Sequence, residues 1–157
     1  MEIERKFLVA EPPPELDSVA RVSIRQGYVA IDDSNFELRF RQKDESFYQT
    51  IKQGSGLVRQ EYEIALTRDQ FNLVWPLTEG RRIQKVRYKL PAGDLICEVD
   101  IFGEPLKGLQ LVEVEFDTLE QSSSFVPLNW FGNEVTDDSR YKNRHLALHG
   151  LPKTLNV

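Results

Sequence analysis

The 157 residues include a single cysteine, Cys97, so no disulfide can form within the chain. That suits a reducing compartment, and the cytoplasm is the expected location. Histidine is almost as scarce: only His145 and His149 occur, four apart in one expected helix, where they read as surface or helix-end residues. Zinc prefers histidine and cysteine, so a zinc site is not expected. No apolar run approaches the roughly 20 residues that cross a bilayer. The opening Met-Glu-Ile-Glu-Arg-Lys lacks the apolar core of a signal peptide, so neither export nor a membrane partner is expected. A basic excess is missing too, with 20 Lys and Arg against 25 Asp and Glu, a net charge of −5. A phosphate backbone attracts a basic surface, so a nucleic-acid partner is not expected, although a local basic pocket could still hold a small polyanion. There is no internal repeat and no low-complexity tract. A hydrophobic share of 40% and a charged share of 29% read as one soluble globular domain over 1–157.

What the chain does have is alternation. Charged residues stand at every second position in Glu2-x-Glu4-x-Lys6, Glu37-x-Arg39-x-Arg41, Arg59-x-Glu61-x-Glu63, Lys85-x-Arg87-x-Lys89, Glu98-x-Asp100 and Glu113-x-Glu115, and more loosely in Tyr48-x-Thr50-x-Lys52. Residues two apart share a face of a strand. Each run is therefore a strand with one charged face, and the intervening Phe36, Leu38, Phe40, Leu95, Cys97, Val99, Ile101, Val112, Val114 and Phe116 supply an apolar one. Cys97 falls on the apolar side and reads as a small core residue.

Turn residues divide the chain into strands at 2–9, 22–31, 36–42, 47–53, 57–66, 82–90, 95–102 and 109–116. Thr67 reads as the N-cap of a helix that Pro76 ends, a short helix is expected at 119–125, and a capped helix at 140–149 that Gly150 and Pro152 stop. The expected fold is α+β, mainly antiparallel β. Eight strands are about the number that close into a barrel with room for one small ligand. The charged faces would then line the inside, with helices packed outside; Trp75 and Trp130 sit among apolar neighbours and read as cover.

Glu2, Glu4, Glu61, Glu63, Glu98, Asp100, Glu113 and Glu115 form four i, i+2 acidic pairs. Carboxylates are hard ligands that suit Mg²⁺ or Mn²⁺. Lys6, Arg39, Arg41, Lys52, Arg59, Lys85 and Arg87 supply forked and point donors for phosphate oxygens. Acids nearly balance bases, so an empty interior would be close to neutral. A polyphosphate would overload it with negative charge, and one or two divalent cations would restore the balance. For any single run, cross-strand ion pairs on a wet face are an equal explanation. The like-charged pairs Arg39 with Arg41 and Glu61 with Glu63 argue for convergence instead.

These residues resemble the CYTH superfamily of triphosphate tunnel metalloenzymes. Glu2-Ile3-Glu4-Arg5-Lys6 is similar to its N-terminal ExExK signature, and Glu37 to Arg41, Thr50-Ile51-Lys52, Arg59 to Glu63, Glu79 to Arg82, Lys85 to Tyr88, Leu111 to Phe116 and Val135 to Asn143 follow in the family's order. The compact bacterial members are the most similar. The resemblance implies hydrolysis of inorganic tripolyphosphate to pyrophosphate and phosphate with Mg²⁺ or Mn²⁺. It puts the eight acids on the metal side, above all Glu2, Glu4, Glu113 and Glu115, and the seven bases on the phosphate side. It also implies a C-terminal helix around Arg140, Tyr141 and Lys142 that plugs one tunnel end, a small polyphosphate as partner, and a homodimer as one permitted assembly. Tyr28 and Lys85 correspond to a pair near the attacking water. Lys85 reads either as a proton acceptor, its pKa lowered by neighbouring cations, or as a phosphate clamp, and Tyr28 as its orienting hydroxyl or a wall aromatic. In the family's other mechanism a metal and a carboxylate activate the water. A nucleotide or thiamine triphosphate hydrolase, a class IV adenylate cyclase and a non-catalytic polyphosphate-binding module are the alternative readings.

Overall fold

The computed structural model of the protein describes residues 3–33, 35–54 and 60–153. Alternation becomes strand: β1 is Ile3–Val9, β2 Arg21–Tyr28, β3 Phe36–Lys43, β4 Ser46–Gln53, β5 Gln60–Leu66, β6 Arg82–Ala92, β7 Leu95–Phe102 and β8 Gln110–Phe116. A short β9, Phe131–Glu134, and the helices α1 Arg68–Val74, α2 Leu119–Ser124 and α3 Asn143–His149 complete the set. Every strand pairing is antiparallel, in the order β5-β4-β3-β2-β6-β7-β8-β1-β9. Two-residue turns at Asp44-Glu45 and Gly93-Asp94 set the register of β3 with β4 and of β6 with β7. Asp44 (φ 50°) and Gly93 (φ 63°) hold the left-handed backbone such turns need. Thr67 caps α1 as expected, its hydroxyl accepting from the Gln70 backbone while the Gln70 side chain accepts from the Thr67 N–H.

Three expectations need correction. The eight-stranded closed barrel is, among the described residues, an open ladder of nine strands. The ninth was missed because Phe131-Gly132-Asn133-Glu134 is short and does not alternate. It lies along the edge of β1 that a closed ring would offer to β5. The tail helix expected over 140–149 is broken: a 3₁₀ turn, Ser139–Tyr141, precedes α3, with Lys142 extended between them. The Tyr141 carbonyl, which a continuous helix would pair with the His145 N–H, accepts instead from Lys6 Nζ at 3.2 Å. The strand placed at 57–66 is described only from Gln60, and Glu2 and Arg59 lie outside the described residues.

The two faces of the sheet carry different matter. Outward, Phe7, Cys97, Val99, Val112, Val114 and Phe116 form a core with Trp130 and Phe131. Cys97 is fully buried there, and burial pushes its thiol up to about 11, as befits a packing residue. Phe40, Phe47 and Phe71 form a second outer cluster against Trp75. Each such side chain contributes roughly 1.5–3 kcal/mol by leaving water. Both tryptophans are cover, as expected.

Inward, one end of the face is apolar. Leu8, Leu111, Phe102, Ile83 and Tyr28 come from β1, β8, β7, β6 and β2, yet they share one cluster with Tyr141, Leu146 and Ala147 of the tail. Side chains from five successive strands can meet the same short helix only if the sheet curls around it. The inner face is therefore concave, with the tail filling one end and charged residues lining the rest. No helix among the described residues is long and apolar enough to cross a membrane.

Candidate active site

The register brings the charged inner residues into rows across the strands. On one wall Arg39 of β3 stands beside Tyr28 of β2 and Thr50 of β4, with Glu63 of β5 beyond. Arg41 stands beside Gln26 and Tyr48, and Lys43 beside Ile24. Arg39 is 7% exposed; its Nη2 donates to Thr50 Oγ1 at 3.2 Å and lies 3.9 Å from Glu63, while its buried Nε has no partner. Arg41 donates from Nε to Gln26 Oε1 at 2.9 Å. Burial, reinforced by the Arg39 charge, pulls its pKa down to about 10, so it is still a cation at neutral pH. Lys43 is likewise lowered, by burial and then by Arg41, Arg87 and Lys89. Lys52 reaches Glu37 at 4.0 Å.

In the middle of the face sits a satisfied cluster. Asp100 Oδ2 accepts from Lys85 Nζ at 2.7 Å and from Arg87 Nη2 at 2.9 Å, and Oδ1 accepts from Arg87 Nε at 2.8 Å. Burial would raise the Asp100 pKa, but the two cations outweigh it and hold the carboxyl down at about 2. Arg87 is disfavoured by burial and raised overall by the same bonds. Lys85 is lowered, with burial the largest cause, Asp100 opposing it and Arg87 adding to it. Its ammonium also approaches Asn143 Oδ1 of α3 at 3.4 Å.

The opposite end of the strand order is acidic. Glu4 of β1 faces Glu115 of β8 directly, and Glu113 faces Glu98 of β7. Lys6 pairs with Glu113 at 3.1 Å and Arg87 with Glu98 at 3.4 Å. Like charges directly opposed destabilise a ladder unless something offsets them.

The sequence-derived residues therefore separate. Glu4, Glu98, Glu113 and Glu115 gather on β7, β8 and β1, whereas Glu61 and Glu63 lie on β5 at the far end of the order, where Glu63 accepts from Thr50 Oγ1 at 3.0 Å. Asp100 belongs with the cations it binds. Among the described residues no three carboxylates converge as a ready-made ion site. Lys6, Arg39, Arg41, Lys52, Lys85 and Arg87 all face inward. Tyr28 and Lys85 both face inward without being paired in register: Ile24 is the residue opposite Lys85, and Tyr28 lies four positions further along β2, about 13 Å by backbone. Sequence reasoning missed Lys43, Gln26 and Asn143. Lys43 was readable, because Glu37-x-Arg39-x-Arg41 continues in phase to it; Gln26 and Asn143, single uncharged residues, gave no pattern. His145 and His149 meet at a tilt of 47°, ring centroids 4.4 Å apart, and belong to no three-ligand cluster among the described residues.

Two cavities lie outside the groove. One of about 410 Å³ borders Pro12, Pro13 and Leu16. Another of about 630 Å³ runs along the outer side of β2 and β6 by Arg25, Gln42 and Gln84. Its Arg25 and Gln42 are bonded to each other at 2.6 Å.

Comparison with known proteins follows the same outline. A curated inorganic triphosphatase of Nitrosomonas europaea is 51% identical over 150 residues, covering 94% of this chain and 97% of its own. An inorganic triphosphatase of Acetivibrio thermocellus is 35% identical over 149 residues, covering 93% and 92%. The crystal structure of an inorganic triphosphatase matches with a TM-score of 0.79 at 45% identity, over 94% of this chain and 95% of that one. A Hippeastrum protein with a dominant triphosphatase activity has a TM-score of 0.56 at 16% identity, covering 78% and 83%, which speaks for the fold alone. The CYTH domain is matched over residues 1–135. On the inner-face geometry, the domain match and the identity to these relatives, the chain belongs to the CYTH family.

Proposed function

We propose that the protein hydrolyses inorganic tripolyphosphate to pyrophosphate and phosphate, with Mg²⁺ or Mn²⁺, and that the concave inner face is its substrate tunnel. The observation that carries this reading is the wall of Arg39, Arg41 and Lys43. Three cations share one face of one strand, Arg39 holds a buried N–H with no partner, and burial weighs against the charge of the other two. A phosphate chain supplies the acceptors and the charge that this wall lacks. The names of the relatives at 51% and 35% identity point the same way.

Lys6, Arg39, Arg41, Lys52, Arg59, Lys85 and Arg87 would bind the phosphates. The acids fit a hard cation by their donor chemistry, and Glu2, Glu4, Glu113 and Glu115 would hold it, with Glu98 beside them. Glu61 and Glu63 lie with Glu37 at the Arg39 end. Asp100 acts as the counter-ion that keeps Lys85 and Arg87 in place, a different task from ligation. A bound divalent cation would offset the phosphate charge and polarise the phosphorus. Lys85 is assigned a place near the attacking water: burial disfavours its ammonium form and Asp100 favours it, so it would serve as proton acceptor when neutral and as phosphate clamp when charged. Tyr28 contributes its hydroxyl from the Arg39 side. The lone buried Cys97 suits the reducing cytoplasm.

The test is phosphate release from tripolyphosphate, ATP and thiamine triphosphate, each with Mg²⁺, with Mn²⁺ and with chelator. Tripolyphosphate should be the preferred substrate and chelator should abolish turnover. Conversion of ATP to cyclic AMP, or tight tripolyphosphate binding with no release under any metal, would overturn the reading.

A further inference from the structure

We propose that Gln26 is a positioning residue that fixes the Tyr28 hydroxyl as a hydrogen-bond donor into the groove and couples it to Arg41. The proposal rests on the triphosphatase reading above for its consequence, though not for its geometry. Gln26 is fully buried on β2, with Ile83 on one side of it and Arg41 on the other. Its amide bonds twice: Oε1 lies 2.9 Å from Arg41 Nε, and Nε2 lies 2.8 Å from Tyr28 Oη.

The orientation of that amide is forced. Arginine has only donors, so the atom facing Arg41 must be the glutamine oxygen. The nitrogen then faces Tyr28 and donates to it. A phenol has a single proton, and with its oxygen already accepting from Gln26 that proton points elsewhere. Among the described residues no acceptor is recorded for it. Burial raises the Tyr28 pKa, so the group remains a phenol at neutral pH. The charges acting on it include Arg39 and Arg41, the two guanidiniums assigned to phosphate. A phosphate oxygen seated on those guanidiniums is the acceptor the hydroxyl awaits. Its donated bond would strengthen as negative charge builds on that oxygen.

The backbone around the relay is held from outside. Tyr28 N–H donates to the Arg81 carbonyl at 3.0 Å, and Arg81 Nε donates to the Tyr28 carbonyl at 3.0 Å. Gly27, between the two relay residues, packs so tightly on Thr78 that a Cβ would lie 2.4 Å from its hydroxyl oxygen. That close approach leaves the pair little room to shift.

The experiment is a double-mutant cycle on the full chain with tripolyphosphate, using Gln26→Met, Tyr28→Phe and the double variant, with kcat and KM measured separately. Methionine keeps the length of glutamine and removes both bonds. Gln26→Met should lower kcat about 10-fold with KM changed less than about 3-fold, and the double variant should be no slower than Tyr28→Phe alone. Multiplicative effects, or an unchanged kcat in Gln26→Met, would overturn the proposal. A second measurement needs no turnover. In NMR of ring-labelled tyrosine, the Tyr28 phenol should titrate at higher pH in Gln26→Met than in the parent, because a donated bond that favoured phenolate has gone. An unchanged or lower midpoint would mean that Gln26 does not donate. A parent protein inert toward tripolyphosphate would sink the functional reading and leave this titration to decide the hydrogen bond.

Discussion

Two groups of cations share the inner face and live under opposite conditions. Lys85 and Arg87 share the Asp100 carboxylate in the most buried ionic contacts of the groove, and Arg87 also pairs with Glu98. Arg39, Arg41 and Lys43, on β3, have no such counter-ion: Glu63 is 3.9 Å from Arg39, and Arg41 is bonded to a neutral amide. The first group already has carboxylate partners that hold it in place before any anion binds. The second is held in place by the strand and by its neighbours, at an electrostatic cost that an anion would remove. A list of charges would treat the two alike, and the structure separates cations that share a buried counter-ion from cations that lack one.

The sharpest way to break that contrast is to remove the shared counter-ion. Asp100→Ala leaves two buried cations side by side, and a broken buried pair costs about 3–5 kcal/mol. Denaturant unfolding should record that loss. Arg39→Ala should do the reverse: stability should change by less than about 1 kcal/mol, because an imperfectly paired buried charge is lost. Its kcat/KM for tripolyphosphate should fall about 100- to 1,000-fold, the size typical of losing one preorganised donor in a reacting site. If both variants lose stability equally, the division between the two groups is wrong.

Acid should distinguish them as well. Asp100 titrates at about 2 in the folded chain against an ordinary 3.8. Its folded pKa is depressed, so its stabilisation is complete above about pH 4 and disappears as the pH falls toward 2. The difference amounts to about 2 kcal/mol. Unfolding free energies at pH 5 and pH 2.5 should fall more steeply in the parent than in Asp100→Asn, which keeps only the share of the other lowered carboxylates such as Glu134. The β3 cations do not change charge in this window, so Arg39→Ala should keep the parent slope.

How far the sequence revealed this depends on what each feature rests on. Strands with a charged face were legible because a period of two survives any tertiary context, and β7 begins and ends where alternation placed it, at Leu95 and Phe102. The N-cap at Thr67 was legible as local chemistry. Features made by contacts distant in sequence were not. β9 exists because Phe131 and Glu134 pair with β1, more than a hundred residues away. The tail helix breaks where Lys6 takes the Tyr141 carbonyl. The acids formed one list as residues, and register divided the seven described ones into an acidic wall, a β5 pair and a counter-ion. Gln26 carries no charge and no period, so only its two bonds reveal it.

The smallest expected effect concerns where the binding wall ends. Lys43 is half-buried at the end of β3, next to Arg41 in phase, and cations act on it from two strands: Arg41 on its own, and Arg87 and Lys89 on β6. Glu98 is the acid that acts on it, and Glu98 is already bridged to Arg87. Crowding of this kind makes sense if an anion reaches that far. Lys43→Met keeps the packed stem and removes the charge. It should raise KM for tripolyphosphate about 10-fold with kcat nearly unchanged, the signature of lost uniform binding. Tripolyphosphate should also raise the melting temperature of this variant less than that of the parent at equal concentration, as weaker binding requires. An unchanged KM would end the phosphate wall at Arg41 and make Lys43 a surface charge at the rim.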